Sequence, residues 1–300
     1  MLMTDALPVH VSVLRDEVVA WLDPHPGGVF VDGTLGAGGH AQALAERVGP
    51  GGLVIGLDRD PAALDRAERR LTGPAVRLAQ ANFCDLPEVL RTLGVEAVDG
   101  AVLDLGMSSD QLADPNRGFS FDADGPLDLR FDPTEGEPAW RLLNRLSAEH
   151  LADLIYHFGE ERHSRRIARA IVERRRAAPI ETARELAEIV RQCVPRSHAA
   201  RIDPATLTFQ ALRIAVNDEL KSLEIALRRI PQCLRLHARV AVISFHSLED
   251  RRVKEAFRDD PRYEVLTKKP VRPGPEETAA NPRARSAKLR VAARTAVPDG

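Results

Sequence analysis

The passage VDGTLGAGGH, Val31 to His40, constrains this chain more than any other. VFVD at its head reads as a short buried strand and AQALAERV at its tail as a helix, so the glycines occupy a strand-to-helix turn. Gly36-Ala37-Gly38-Gly39-His40-Ala41 satisfies the G-x-G-x-x-A form of the dinucleotide fingerprint. Asp58, closing the next strand, lies where a ribose-binding acid belongs. The pattern alone separates neither a dinucleotide from S-adenosylmethionine nor either from a structural turn that needs glycine for backbone reasons.

The same rhythm continues through the first hundred residues. GVFVD, GLVIGLD, AVRLAQ and VDGAVLDLG read as strands, separated by helices from Ala41, from Pro61 and over Leu86 to Leu93. The next buried strand is RVAVISF, Arg239 to Phe245, more than 130 residues beyond VDGAVLDLG. A crossover needs only a few tens of residues, so something is inserted. The inserted stretch opens with a loop rich in Gly, Pro and Asp, from Asp110 to about Gly136. Helices follow: one capped by Ser147 and running through Phe158, one over EERHSRRIARAIVERRR, and one opened by the capping box Thr182-Ala-Arg-Glu and stopping before Pro195. We therefore expect residues 1–109 and 204–300 to form one α/β domain and 110–203 an inserted helical subdomain. Ser247-Leu-Glu-Asp reads as a further capping box, and the proline-rich basic tail as extended or loose backbone.

Two features bear on what the loop holds. Asp32, just before it, would repel a pyrophosphate, whereas the ammonium and sulfonium of S-adenosylmethionine are cationic. The alternative is a strand-end aspartate that caps the turn. Asp58, Asn82-Phe83 and Asp104 then fall at the ends of strands two, three and four, on the sheet edge where ligands of open α/β sheets bind. Asp58 can accept both ribose hydroxyls, Phe83 can cover adenine or be plain core, and Asp104 can face the methionine end or the substrate.

Other classes are disfavoured by what the chain lacks or spaces badly. No stretch approaches the roughly 20 apolar residues of a membrane span, and the first 25 residues show no apolar run. Cys84, Cys193 and Cys233 fit neither a zinc spacing nor a redox pair, and read as buried thiols of a soluble cytoplasmic protein. The acidic loop Asp122, Asp124, Asp128 and Asp132 matches no calcium loop, so no metal is expected. The net charge of −2 is uneven: residues 1–140 carry −13, residues 141–201 carry +5 and residues 251–300 carry +6. Such a split suits nucleic acid or a solvated helix face.

VDGTLGAGGH, GLDRDP, DLGMSSDQL, RGFSFDADGPLDLRFDP, YHFGEER, RIARAIVERR, TFQALRIAVNDEL, VISFHSLEDR and NPRARSAKLR together resemble the bacterial 16S ribosomal RNA cytosine N4-methyltransferase family, over nearly the whole chain. The resemblance implies a Rossmann-like class I S-adenosylmethionine-dependent methyltransferase sheet with an inserted helical substrate domain. It implies N4-methylation of a cytidine in the decoding region, the P site, of 16S rRNA within the small ribosomal subunit. The cofactor contacts carried over by motif are Gly38, Gly39, His40, Asp58, Phe83, Asp104 and Gln111, to which the loop reading adds Asp32 and Gly36. Asp104 with Ser108 and Ser109 is the expected contact for the substrate amine, or Asp104 holds cofactor only. His246 is a candidate base, RNA contact or turn residue. RNA would meet Arg162, Arg165, Arg166, Arg169, Arg174, Arg175 and Arg176, of which Arg165, Arg169 and Arg176 share a face by their spacing, and the tail around Arg283, Arg285, Lys288 and Arg290. A homodimer is compatible with the sequence.

Three departures from the family pattern stand out: Asp110 for proline, Leu207 for arginine, and Leu236-His237-Ala238-Arg239 for a glycine turn. The first is expected to loosen the loop bearing Gln111 and the second to weaken a phosphate grip. Two rival functions remain open at this point, an NAD-dependent oxidoreductase and a non-catalytic RNA-binding or assembly factor.

Overall fold

The structure is a computed structural model that describes residues 12–71, 73, 75–122, 124–195 and 203–298. The chain divides into two compact units, Met1–Gly106 with Lys221–Gly300, and Met107–Leu220. The expected boundaries at 109 and 203 therefore move to 106 and 220, and the helix after Asp203 goes with the insert.

The first unit opens with α1 (Arg15–Leu22), β1 (Val29–Asp32), α2 (Gly39–Val48), β2 (Leu53–Asp58), α3 (Pro61–Arg70), β3 (Val76–Gln80), α4 (Leu86–Leu93) and β4 (Val98–Asp104). The starts of α3 and α4 have a local cause. Asp60 Oδ1 accepts from the Ala62 amide at 3.1 Å with Pro61 in the first turn, and α4 also carries a proline in its first turn. α4 stops at Gly94 in the left-handed conformation, φ 68°.

The second unit holds α5 (Ser109–Ala113), α6 (Ala139–Arg145), α7 (Ala148–Gly159), α8 (Ser164–Arg174), α9 (Ala183–Cys193) and α10 (Thr206–Asn217). Leu127, Leu143, Leu151, Ile155, Ile167, Ile171, Leu186 and Leu212 form its core. Phe209 and Leu212 put α10 in that core, which is why it belongs to the insert. Gly159 at the end of α7 abuts the Leu207 carbonyl: a Cβ there would lie 2.4 Å from that oxygen. Leu207 is thus half-buried packing within this unit. The Gly, Pro and Asp loop is braced by Arg117, which donates to the Arg130 and Phe131 carbonyls at 2.9 and 2.8 Å, and by paired Asp128 and Arg130.

The chain continues with α11 (Glu219–Arg229), β5 (Leu234–Ser244), α12 (Ser247–Asp259), β6 (Tyr263–Val265), α13 (Pro275–Ala280) and β7 (Lys288–Arg294). The sheet order is β3-β2-β1-β4-β5-β7-β6. β1 to β5 pair in parallel and β7 is antiparallel to both its neighbours. This is the Rossmann-like doubly wound sheet expected, with one apolar layer on each face.

The tail holds a strand that the sequence reading did not name. KLRVAAR forms β7, a buried inner strand, with Leu289 and Val291 in one layer and Ala292 in the other. Its pairing partner is β5, more than forty residues upstream, and no local periodicity reports such a contact. β5 also starts earlier than Arg239, and its register against β4 shifts between Val98 and Gly100. The extra residues there include His237, at φ 66°.

Candidate functional site

The carboxyl ends of β1, β2 and β4 meet around the glycine loop. Within it, the Gly33 amide donates to the Val102 carbonyl at 2.9 Å and the Leu35 amide to Leu57 at 2.8 Å, tying the loop to its two flanking strands. Gly38 is the N-cap of α2 at φ 80°, a left-handed conformation that costs a residue with a Cβ roughly 1–2 kcal/mol. Gly39 is required by space, since a Cβ would fall 2.0 Å from Ser12 Oγ. These two glycines let Leu71 and Ser12 pack directly against the start of α2.

Asp58 serves this loop directly. Its Oδ2 accepts from the Gly36 amide at 2.8 Å and its Oδ1 from the Asp60 amide at 2.9 Å. Burial raises its pKa from the ordinary aspartate value, against the lowering effect of those amides.

Asp32 has no exposed surface. Its Oδ1 accepts from the Thr34 amide at 3.2 Å and its Oδ2 from the Ala41 amide at 3.1 Å, in the first turn of α2. The turn-capping alternative therefore describes its hydrogen bonds. Burial pushes its pKa up to about 6, opposed first by the nearby His40.

His40 contributes its ring, which sequence reasoning passed over. The side chain is buried, and Nε2 lies 3.5 Å from Asp104 Oδ2. Burial alone would lower its pKa; the two carboxylates Asp104 and Asp32 reverse the sign, and the net shift is upward. The Asp104 amide donates to Thr34 Oγ1 at 2.6 Å. Thr34 is thus a second residue the sequence did not flag, though its place two residues after Asp32 in a tight turn is a usable signal. Asp104 Oδ1 is buried with no hydrogen-bond donor among the described residues. An acceptor in that condition fits an incoming N–H.

Phe83 is half-buried and borders the loop from β3, its Cβ 3.1 Å from where a Gly33 Cβ would stand. It also packs on the core, so covering a ligand and filling the layer are compatible. Asn82 before it accepts from the Cys84 amide and donates to Ser222 Oγ at 3.0 Å.

His246 is the N-cap of α12. Its Nδ1 accepts from the Glu249 amide at 3.3 Å, while Glu249 Oε2 accepts from the Phe245 and His246 amides. The capping box thus sits one residue earlier than Ser247 and Asp250, and the ring of His246 has a structural occupation. Asp250 instead binds Lys288 Nζ at 3.0 Å and Arg290 Nε at 2.7 Å. Those two tail cations therefore brace the first unit, contrary to the expectation that they meet RNA. Arg290 is itself buried.

Ser108, Ser109 and Gln111 belong to the second unit. Ser108 caps α5: its Oγ accepts from the Gln111 amide at 3.1 Å and Gln111 Oε1 accepts from the Ser108 amide at 3.0 Å. Asp110 lies in the first turn of that helix, where a carboxylate interacts favourably with the helix dipole.

Along α8, Ser164, Ile167, Ala168 and Ile171 face inward and Arg165, Arg166 and Arg169 outward. Arg174 pairs with Glu185, Arg175 donates to the Leu143 carbonyl, and Arg176 lies beyond the helix and pairs with Glu173, so it leaves the expected track. Arg184 and Arg191 of α9 hold Asp124 and Asp122, giving the acidic loop ordinary ion pairs. Among the described residues, no helix is long and apolar enough to cross a membrane.

The sequence profile of the MraW methylase family matches residues 8–295. A ribosomal RNA small subunit methyltransferase H from Trichlorobacter lovleyi is 50% identical over 304 residues, spanning 94% of this chain and 97% of the relative. Proteins of the same name from Rhodopirellula baltica and Sorangium cellulosum are each 52% identical, spanning 95% of this chain and 91% and 90% of their own. The oxidoreductase and the non-catalytic factor find no support in these matches.

Proposed function

The chain belongs to the MraW methylase family and is a methyltransferase using S-adenosylmethionine, and on that footing we propose that it methylates 16S ribosomal RNA in the small ribosomal subunit. The finer reading is transfer to the N4 amine of a cytidine in the decoding region. The observation that carries the small-subunit RNA reading is the near-full-length likeness to relatives named ribosomal RNA small subunit methyltransferase H; the N4 amine rests on the motif resemblance given above.

When bound, the cofactor supplies an electrophilic methyl on a cationic sulfur. The protein's own part is positioning. Gly38 gives the α2 start its left-handed turn, Asp58 holds the loop, Phe83 offers a face for adenine, and Asp104 Oδ1 offers an acceptor. The cytosine amine is a weak nucleophile because its lone pair is delocalised into the ring. An acceptor that holds one of its N–H bonds localises that pair, so the nitrogen would be readied for the methyl group that the bound cofactor would supply, and the proton the amine gives up would pass to water. We assign that contact to Asp104, while Ser108 and Gln111 are accounted for by the α5 cap. The exposed arginines Arg162, Arg165, Arg166 and Arg169 are the proposed phosphate contacts.

Labelled methyl incorporation into small subunits, naked 16S rRNA and large subunits, with the modified base mapped, tests the substrate. Label confined to the large subunit, or to a base other than cytosine, overturns the reading. Asp104→Ala, measured separately for cofactor affinity and single-turnover rate, tests the contact: lost affinity with an unchanged rate removes it.

A further inference from the structure

We propose that His40, held between Asp32 and Asp104, fixes a buried cluster with one surplus negative charge, and that this surplus lets the protein favour S-adenosylmethionine over the demethylated product. The inference rests on the cofactor reading above and names how that site discriminates.

The fold gathers the three side chains from three separate segments: the end of β1, the first turn of α2 and the end of β4. Asp32 is wholly buried and His40 is 4% exposed. His40 Nε2 stands 3.5 Å from Asp104 Oδ2, while Nδ1 is buried with no hydrogen-bond partner among the described residues. A lone imidazolium in such a place would be strongly penalised by the loss of water. One carboxylate neutralises it. The second leaves the group negative by one charge, and that charge has no other cation buried against it among the groups that face His40. Those groups are Arg15 from α1, which sits at the surface paired with Asp16, and the two aspartates themselves.

S-adenosylmethionine carries a sulfonium, an ammonium and a carboxylate, for a net single positive charge. In methyl transfer the C–S bonding pair stays on sulfur, so the product thioether carries no net charge. A site with one surplus negative charge therefore attracts the donor and loses that attraction once transfer is complete. His40 acts here as a positioning residue, since without its charge the two aspartates repel each other and one of them takes up a proton.

The proton balance gives a direct readout. Asp32 titrates at about 6, so acidifying from pH 7.0 to 5.5 removes most of the surplus. A cationic ligand pulls the equilibrium back and expels a proton; a neutral ligand does not. The experiment is titration calorimetry of the full chain with S-adenosylmethionine and S-adenosylhomocysteine, in two buffers of different ionisation enthalpy, at pH 5.5, 6.0 and 7.0. We expect proton release near pH 6 with the donor alone, and a fall of roughly fourfold in the ratio of product Kd to donor Kd between pH 7.0 and 5.5. Asp32→Asn should abolish both effects, and His40→Gln should move the proton release upward in pH. The wild-type measurement needs no substitution, so it stands whether or not either variant folds. A pH-independent ratio, equal proton release with both ligands, or an Asp32→Asn protein that tracks the wild type overturns this inference while leaving the cofactor reading intact. Failure of the donor to bind at every pH overturns both.

Discussion

The Asp58 carboxylate accepts from the Gly36 amide at 2.8 Å, so the acid that ends β2 is built into the glycine loop that follows β1. The second oxygen accepts from the Asp60 amide at the start of α3. One side chain thus fixes two loops at the same sheet edge. Asp58→Ala leaves both amides without this acceptor and should cost about 1–3 kcal/mol of stability. Donor affinity should fall further than the loss of a single hydroxyl contact explains. Denaturant unfolding together with calorimetry checks this; a fall in affinity with unchanged stability would mean that Asp58 serves the ligand alone.

The apoprotein should be more stable at mildly acidic than at neutral pH on account of this site. Asp32 titrates at about 6 in the folded chain against an ordinary value of 3.8, so the folded state binds the proton more tightly. Stability from this group is therefore full below about pH 4 and declines as pH rises to about 6, by roughly 3 kcal/mol at most. His40, raised from 6.5, has the same sign: its share is present below 6.5 and is lost as pH rises through its higher folded value. The check is the difference in unfolding free energy between wild type and Asp32→Asn from pH 4 to 7. The substitution adds a constant offset, and a difference that does not vary with pH contradicts the assignment.

Asp250 should matter to stability and not to RNA affinity. Removing it as Asp250→Ala leaves buried Arg290 without its carboxylate, at a cost of about 3 kcal/mol. Lys288, more exposed and paired at 3.0 Å, loses less. Urea midpoints give the stability and filter binding the affinity, and an Asp250→Ala/Arg290→Met double variant should recover part of the loss.

Arg165→Ala and Arg169→Ala should weaken RNA binding across sequences. Each should also flatten the plot of log affinity against log salt by about one unit if it contacts a phosphate. Arg176→Ala should change that slope less, because Glu173 holds it at 2.6 Å. Salt titrations of the three variants decide the matter.

His237 holds a left-handed backbone, φ 66°, on the exposed part of β5. His237→Gly should stabilise the protein by about 1 kcal/mol, relieving the Cβ clash that conformation imposes. A lower thermal midpoint in the variant would show that the imidazole makes a contact worth more than the strain.

The sequence by itself determined the parts that depend on neighbours along the chain. The strand-glycine-helix turn, the strand ends carrying Asp32, Asp58 and Asp104, the Thr182 capping box and the presence of an insert all follow from short-range periodicity and cap chemistry. Only the tertiary structure decided what distant segments do to one another. It placed β7 inside the sheet, turned Lys288 and Arg290 inward onto Asp250, gave α10 to the insert, and buried the His40 ring beside Asp104. A residue's neighbours along the chain announce whether it starts a helix. Its charge and its water are set by whatever the fold packs against it, and for His40 those partners lie eight residues back and sixty-four ahead.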